Sequence, residues 1–177
     1  MPEAALTDGI VTLRPWRASE APAIVDCLDG DPEVARWLDQ IPQPYTIEHA
    51  RAYLDGELGR DETKLAITDA STGRILGSIG VGLAHDGVRE IGYWLRADAR
   101  GRGVTTRALR LASRWALAQD DVARVQLRAD PENHASCRVA EKAGFTLEGV
   151  LRSAHWNARL GRRQDWALYS LLPGELE

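Results

Sequence analysis

Six consecutive residues, Arg100, Gly101, Arg102, Gly103, Val104 and Thr105, combine two ingredients of an anion cradle: glycines that free the backbone and basic side chains beside them. They lie within YWLRADARGRGVTTRAL, residues 93–109, which reads as a strand running through a glycine-rich turn into an amphipathic helix. The first turn of a helix holds N–H groups without partners and carries partial positive charge. Glycine lets the backbone approach a ligand in conformations closed to other residues. Together these features make a receptor for phosphate oxygens; the competing reading is an ordinary strand–loop–helix connection. Two phosphate motifs are excluded. A Walker loop requires a lysine that is not found near Gly103. A dinucleotide fingerprint requires a third glycine where Thr106 stands, so hydride chemistry is disfavoured.

Other reactive side chains are sparse. Cys27 and Cys137 form no CxxC pair and read as small buried hydrophobes. The histidines at 49, 85, 134 and 155 lack metal-ligand spacing, so no metal is expected. With 177 residues the chain fits one domain, 1–177, with length enough for a sizeable core. A net charge of -4 argues against a nucleic-acid partner. The start, MPEAALTDG, carries acids and no apolar run, and no stretch reaches the ~20 apolar residues of a membrane span. The expectation is a soluble cytoplasmic protein with no membrane association.

The elements that must position the turn follow from periodicity. Residues 10–16 alternate as a first strand, with Pro15 near its end. Ser19 is predicted to cap a helix over 20–29, and Asp31-Pro32 to start a short one through Trp37 and Leu38. After a loop over 41–45, Thr46 caps a helix to about Gly59, with His49 in the place of a capping-box acid. Strands over 63–69, 74–83 and 88–95, separated by Ser71-Thr72-Gly73 and His85-Asp86-Gly87, read as an antiparallel meander. The helix after the glycine turn shows an apolar face of Val104, Ala108, Leu111, Ala112 and Trp115. A strand over 124–128, a helix over 133–142 ending at Gly144, and strands near 145–155 and 163–172 complete the chain. The fold class is α+β, an α/β sandwich with a mixed, mostly antiparallel sheet flanked by helices.

The turn resembles the pyrophosphate loop of the GCN5-related N-acetyltransferases (GNAT), whose pattern is Gln or Arg, two residues, Gly, one residue, Gly or Ala. Arg100 and Gly103 match; Thr105 departs from the small residue usual at the last position. Residues 133–149, NHASCRVAEKAGFTLEG, resemble a second motif of that superfamily, and EIGYWL before the turn points to its RimJ/RimL-like branch, which acetylates N-terminal amines of ribosomal proteins. The resemblance implies a GNAT fold and acetyl-coenzyme A as donor. Its pyrophosphate would lie on the amides of residues 100–105, with Arg100 and Arg102 adding charge, and its pantetheine arm along the main chain of Trp94, Leu95 and Arg96. Asn133, an N-cap by its residue type, would also touch the arm.

Aminolysis of a thioester needs a neutral amine, a donor for the developing oxyanion and a destination for the proton. An α-amine with a pKa of about 8 is partly neutral at pH 7, whereas lysine near 10.4 is not. A weak base acting through water therefore suffices for an N-terminus. Glu90 matches the glutamate of EIGYWL, and strand alternation places it with Gly92 and Trp94, opposite Ile91 and Tyr93. The tyrosine that many members use to protonate the thiolate is replaced by Ala140, and Ser136, one turn earlier, matches the serine given that task in the RimL-like branch. Each also has a structural reading, a solvated strand acid and a helix-start serine bonding its own backbone. Trp37, Tyr45 and Trp156 are expected to line the acceptor pocket, and Arg152, Arg159, Arg162 and Arg163 stand near the last hairpin. The acceptor is a protein N-terminus or a small amine such as an amino sugar or antibiotic. A non-catalytic acyl-coenzyme A sensor is the alternative, and a homodimer is left open.

Overall fold

A computed structural model describes residues 2, 4–56 and 62–176. It contains an eight-stranded sheet in the order β1-β2-β3-β4-β5-β6-β8-β7. Strands β1 (Leu6–Thr7) and β2 (Val11–Pro15) form a tight hairpin around Asp8, whose Oδ1 accepts from the amides of Ile10 at 3.0 Å and Val11 at 2.9 Å. The two-residue β1 shows no periodicity and escapes a sequence reading.

Three short helices then cover one face: α1 (Ala21–Leu28), α2 (Pro32–Trp37) and α3 (Ile47–Leu54). Ser19 does not cap α1. It lies inside a single 3-10 turn over Ala18–Glu20, and no side chain caps α1. Glu20 secures that entry instead, accepting from Arg17 N at 2.9 Å and pairing with Arg14 at 2.7 Å. Asp31 does cap α2, through the amides of Glu33 and Val34. Thr46 caps α3, and the His49 ring closes the box by accepting from Thr46 N at 3.1 Å. Helix α3 ends at Leu54 rather than near Gly59, and residues 57–61 lie outside those described.

The meander appears as expected: β3 (Glu62–Asp69), β4 (Ile75–His85) and β5 (Val88–Leu95) pair antiparallel in turn. The chain then crosses through α4 (Val104–Leu117) to β6 (Arg124–Ala129), parallel to β5. After α5 (His134–Ala143), β7 (Thr146–Asn157) and β8 (Arg162–Leu171) form the final hairpin, with β8 inserted beside β6. On α4 the buried face is Val104, Ala108, Leu109, Ala112 and Ala116. Leu111 and Trp115 sit at its margin, half-buried, because the small residues let the helix axis settle close to the sheet.

Strand alternation divides the core in two. Val11, Leu13, Leu65, Ile67, Ile79, Ile91 and Leu95 face α4 and α5. Trp94 points the other way and packs with Ile24, Leu28, Val34 and Tyr45 from the α1–α3 layer, stacked on Trp16 at 6.2 Å. One break in the sheet matters for function. Pairing between β5 and β6 ends at Glu90 and Gln126, yet β5 continues along β4 to Leu95 and β6 continues along β8 to Ala129. The two strands therefore diverge and open a wedge between them. Gly77 keeps β4 close beneath the diverging end of β5, for a Cβ there would lie 2.3 Å from Trp94 O.

Candidate active site

The wedge between β5 and β6 opens into a cleft of about 550 Å³ that reaches both faces of the sheet. On the α4–α5 side its wall includes Arg100, Gly101, Thr105, Asn133, Ser136 and Val139; on the other side it includes Trp37, Asp39, Glu90, Arg128, His155 and Trp166. A ligand threaded through the wedge would meet both groups.

The glycine turn forms one end. Gly103 is the N-cap of α4 at φ 75°, with no side chain capping the helix, so its first-turn amides are left open. Gly101 also has positive φ, and a Cβ at either glycine meets no atom within 4 Å. The geometry is that of an anion receptor in front of a fourteen-residue helix. The two arginines divide their tasks. Arg102 is exposed and makes no ion pair among the described residues. Arg100, expected to lend charge to a phosphate, turns inward: Nη2 lies 2.5 Å from Asp31 Oδ2 and 2.9 Å from Leu95 O. Burial pushes the Asp31 carboxyl up, but the Arg100 guanidinium and the α2 amides outweigh it and hold the pKa below 3.8. Arg100 is thus a strut between the turn, the end of β5 and α2. Sequence could not show this, because its partner lies 69 positions away. Arg96 likewise pairs with Asp98 at 2.8 Å and lies outside the cleft wall, its N–H bonded to Leu76 O at 2.9 Å.

Asn133 caps α5 by accepting from Ser136 N at 3.0 Å, and it borders the cleft. The Ser136 hydroxyl does not bond its own backbone. Its Oγ lies 2.8 Å from Tyr93 Oη, and both residues line the cleft. Tyr93 was not legible as a site residue, since alternation turned it away from Glu90 and toward the helices. Cys137, next in sequence, points elsewhere, with Sγ 3.8 Å from Asp130 O.

Across the sheet, Glu90 is held by three donors. Its Oε2 accepts from Gln126 Nε2 at 3.0 Å, and its Oε1 from Arg128 Nε at 2.9 Å and from Arg128 Nη2. A carboxylate offers about four lone-pair positions, so one remains for an amine or a water. Arg128 in turn lies over the Trp166 ring at 3.9 Å, Trp166 stacks on His155 at 4.7 Å, and His155 Nε2 meets Asp39 Oδ1 at 3.0 Å. This chain of contacts builds a continuous wall from β5 to the segment after α2.

Of the three aromatics expected in the acceptor pocket, only Trp37 borders the cleft. Tyr45 is 4% exposed in the α1–α3 core, where burial pushes its phenol up to about 12. Trp156 is 54% exposed and outside the cleft wall. Its neighbour His155 faces inward instead, because register shifts between Leu151 and His155 reset the alternation of β7. Among the four arginines of this region, Arg159 reaches from the hairpin to Ala35 O and, at 2.7 Å, to Ile41 O, closing the hairpin over the α2 side of the cleft. Arg163 bonds Ser153 O at 2.9 Å. Among the described residues no cluster of side chains is arranged for a metal ion, and no helix is long and apolar enough to cross a membrane.

Comparison with known proteins agrees with this geometry. Residues 11–146 match a family model described as an acetyltransferase (GNAT) domain. The chain is similar to "Probable N-acetyltransferase YjcK" of Bacillus subtilis (strain 168), 33% identical over 61% of this chain and 64% of that protein. That match spans less than two thirds of the relative. A longer match, 26% identical over 93% of this chain and 94% of the relative, is to "Uncharacterized N-acetyltransferase p20" of Bacillus licheniformis. In fold the chain resembles RimL, described as a ribosomal L7/L12 α-N-protein acetyltransferase in complex with coenzyme A, with a TM-score of 0.79, 21% identity and coverage of 96% and 98% of the two chains.

Proposed function

Because this chain belongs to the acetyltransferase (GNAT) domain family, we propose that it moves an acetyl group from acetyl-coenzyme A directly to a primary amine, with a protein N-terminal α-amine as acceptor. The observation that carries the reading is the junction of two features. The wedge after the Glu90–Gln126 pair and the uncapped N-terminus of α4 border one cleft. An extended ligand with an anionic group at one end and amides along its length fits such a path. The fit extends to side chains: Arg102 is available for charge, and the glycine turn leaves open space where phosphate oxygens would lie.

The chain's own residues then divide the chemistry. The amides of Val104 and Thr105 and the Arg102 guanidinium bind the pyrophosphate. The edge of β5 near Trp94 and Leu95 that β6 leaves uncovered pairs with the amide-bearing arm, apart from the Leu95 carbonyl that Arg100 holds, and Asn133 borders it. Glu90, held by Gln126 and Arg128, uses its remaining lone pair to orient the amine or a water that takes its proton. Ser136 donates a hydrogen bond to the departing thiolate. The acceptor enters between Trp37 and the final hairpin, on the side of His155 and Trp166. An N-terminal acceptor is supported by the fold likeness to RimL and by the modest base that an α-amine requires. Such a protein works in the cytoplasm, where acetyl-coenzyme A is supplied.

The test is release of coenzyme A thiol from acetyl-coenzyme A in the presence of two acceptor panels, peptides with free N-termini and small amines. Turnover on peptides supports the reading, and N-terminal acetylation blocks it. Turnover restricted to small amines moves the acceptor to that class. Tight binding with no turnover on any amine replaces the enzyme with an acyl-coenzyme A sensor.

A further inference from the structure

The Tyr93–Ser136 contact joins two elements, β5 and α5, whose residues are 43 positions apart. The Tyr93 side chain is half-buried, and its hydroxyl lies 2.8 Å from Ser136 Oγ and 3.5 Å from Ser136 O. The longer distance lies outside the range of a good O–H···O bond. Among the described residues Ser136 Oγ is the protein acceptor at good range for the phenol's proton. A hydroxyl that accepts one bond still has its own proton to place, and Ser136 borders the cleft.

We infer that Tyr93 is a positioning residue for Ser136: the phenol donates to Ser136 Oγ and so turns the serine O–H toward the sulfur of the acyl donor. The inference rests on the role given to Ser136 above. Hydrogen bonds in series polarise one another, so the same contact makes Ser136 a stronger donor than an isolated hydroxyl. No bond to either residue is made or broken. The C–S bond breaks as the C–N bond forms, and the proton that finally converts thiolate to thiol is the one released by the amine, carried through solvent. Burial holds the Tyr93 phenol up at about 12, against the lowering effect of its bond to Ser136, so it remains a donor across the working pH range. The other cleft-lining positions of α5, Ala135 and Val139, carry no polar side chain.

The experiment compares Tyr93→Phe, Ser136→Ala and the double variant. Two readouts are used: steady-state kinetics, and the pKa of the bound coenzyme A thiol, followed by thiolate absorbance. Loss of one neutral hydrogen bond, about 0.5–1.5 kcal/mol, predicts a fall in kcat of about 2- to 13-fold for Tyr93→Phe, with KM for acetyl-coenzyme A unchanged. The bound thiol pKa should rise in both single variants, and the double variant should be no slower than Ser136→Ala. A loss in Ser136→Ala with none in Tyr93→Phe overturns the inference and leaves the role of Ser136 standing. Fully additive losses, or a Tyr93→Phe effect on melting temperature alone, also overturn it. If Ser136→Ala itself changes neither readout, both readings fall.

Discussion

Replacing Gly103 with alanine separates two costs that are easily confused. The residue stands at φ 75° and ψ 4°, where an L side chain carries about 1–2 kcal/mol of strain. No atom within 4 Å would obstruct the new methyl, so the strain is the whole structural penalty. It is present with or without ligand and therefore appears as lost stability. At ~2–4 °C per kcal/mol for a chain of this size, the melting temperature should fall by about 2–8 °C. The effect on affinity has another origin: the methyl projects into the open space before the first turn of α4. If it displaces one charge-assisted hydrogen bond to a phosphate oxygen, about 1.5–3 kcal/mol is lost, or about 10- to 150-fold in Kd. Titration calorimetry with coenzyme A and with acetyl-pantetheine, which lacks the diphosphate, distinguishes the two. Affinity for coenzyme A should fall and that for the fragment should not. A lowered melting temperature with unchanged coenzyme A affinity would refute the cradle, and an equal loss for both ligands would place the damage elsewhere.

Glu90→Gln should lower kcat by about 10²-fold or more if the carboxylate takes a proton; a kcat within a few-fold of the parent, measured by coenzyme A thiol release, removes it from proton transfer. Asp31→Asn keeps an effective helix cap but discards the charge that Arg100 meets. Because the folded pKa of Asp31 lies below 3.8, its contribution is full above that pH and is lost as pH falls through the lower folded value. Urea unfolding should therefore find the variant weaker than the parent at pH 6, with the gap narrowing below pH 3.8; a constant gap would show that charge is not the cause. Gly77→Ala drives a Cβ to 2.3 Å from Trp94 O, an overpacking that costs about 1–3 kcal/mol, or about 2–12 °C of melting temperature. A variant as stable as its parent would show that β4 and β5 can separate there freely.

Periodicity, glycine and capping residues made most of the elements legible. The meander, both long helices and the glycine turn with its following helix are local patterns, and local patterns survive in a one-dimensional string. Ser19 shows the limit: a competent capping residue lost its position to a 3-10 turn stabilised by Glu20 and Arg14. Trp156 shows another, since one irregularity in β7 exchanged it with His155 at the cleft. The choice between an arginine that binds ligand and one that braces the fold was not legible either. Arg100 and Arg102 are two positions apart in the same turn, yet only Arg100 has Asp31 within reach.

By itself, then, the sequence determined that a helix begins at an open glycine turn after a sheet strand, and which family that arrangement resembles. The tertiary structure decided what surrounds the turn: the wedge where β5 leaves β6, the grip of Gln126 and Arg128 on Glu90, and the Tyr93 phenol on Ser136. The physical reason is range. Helix starts, turns and alternation are set by neighbours in the chain, whereas a hydrogen bond between side chains 43 positions apart is set by how sheet and helix pack.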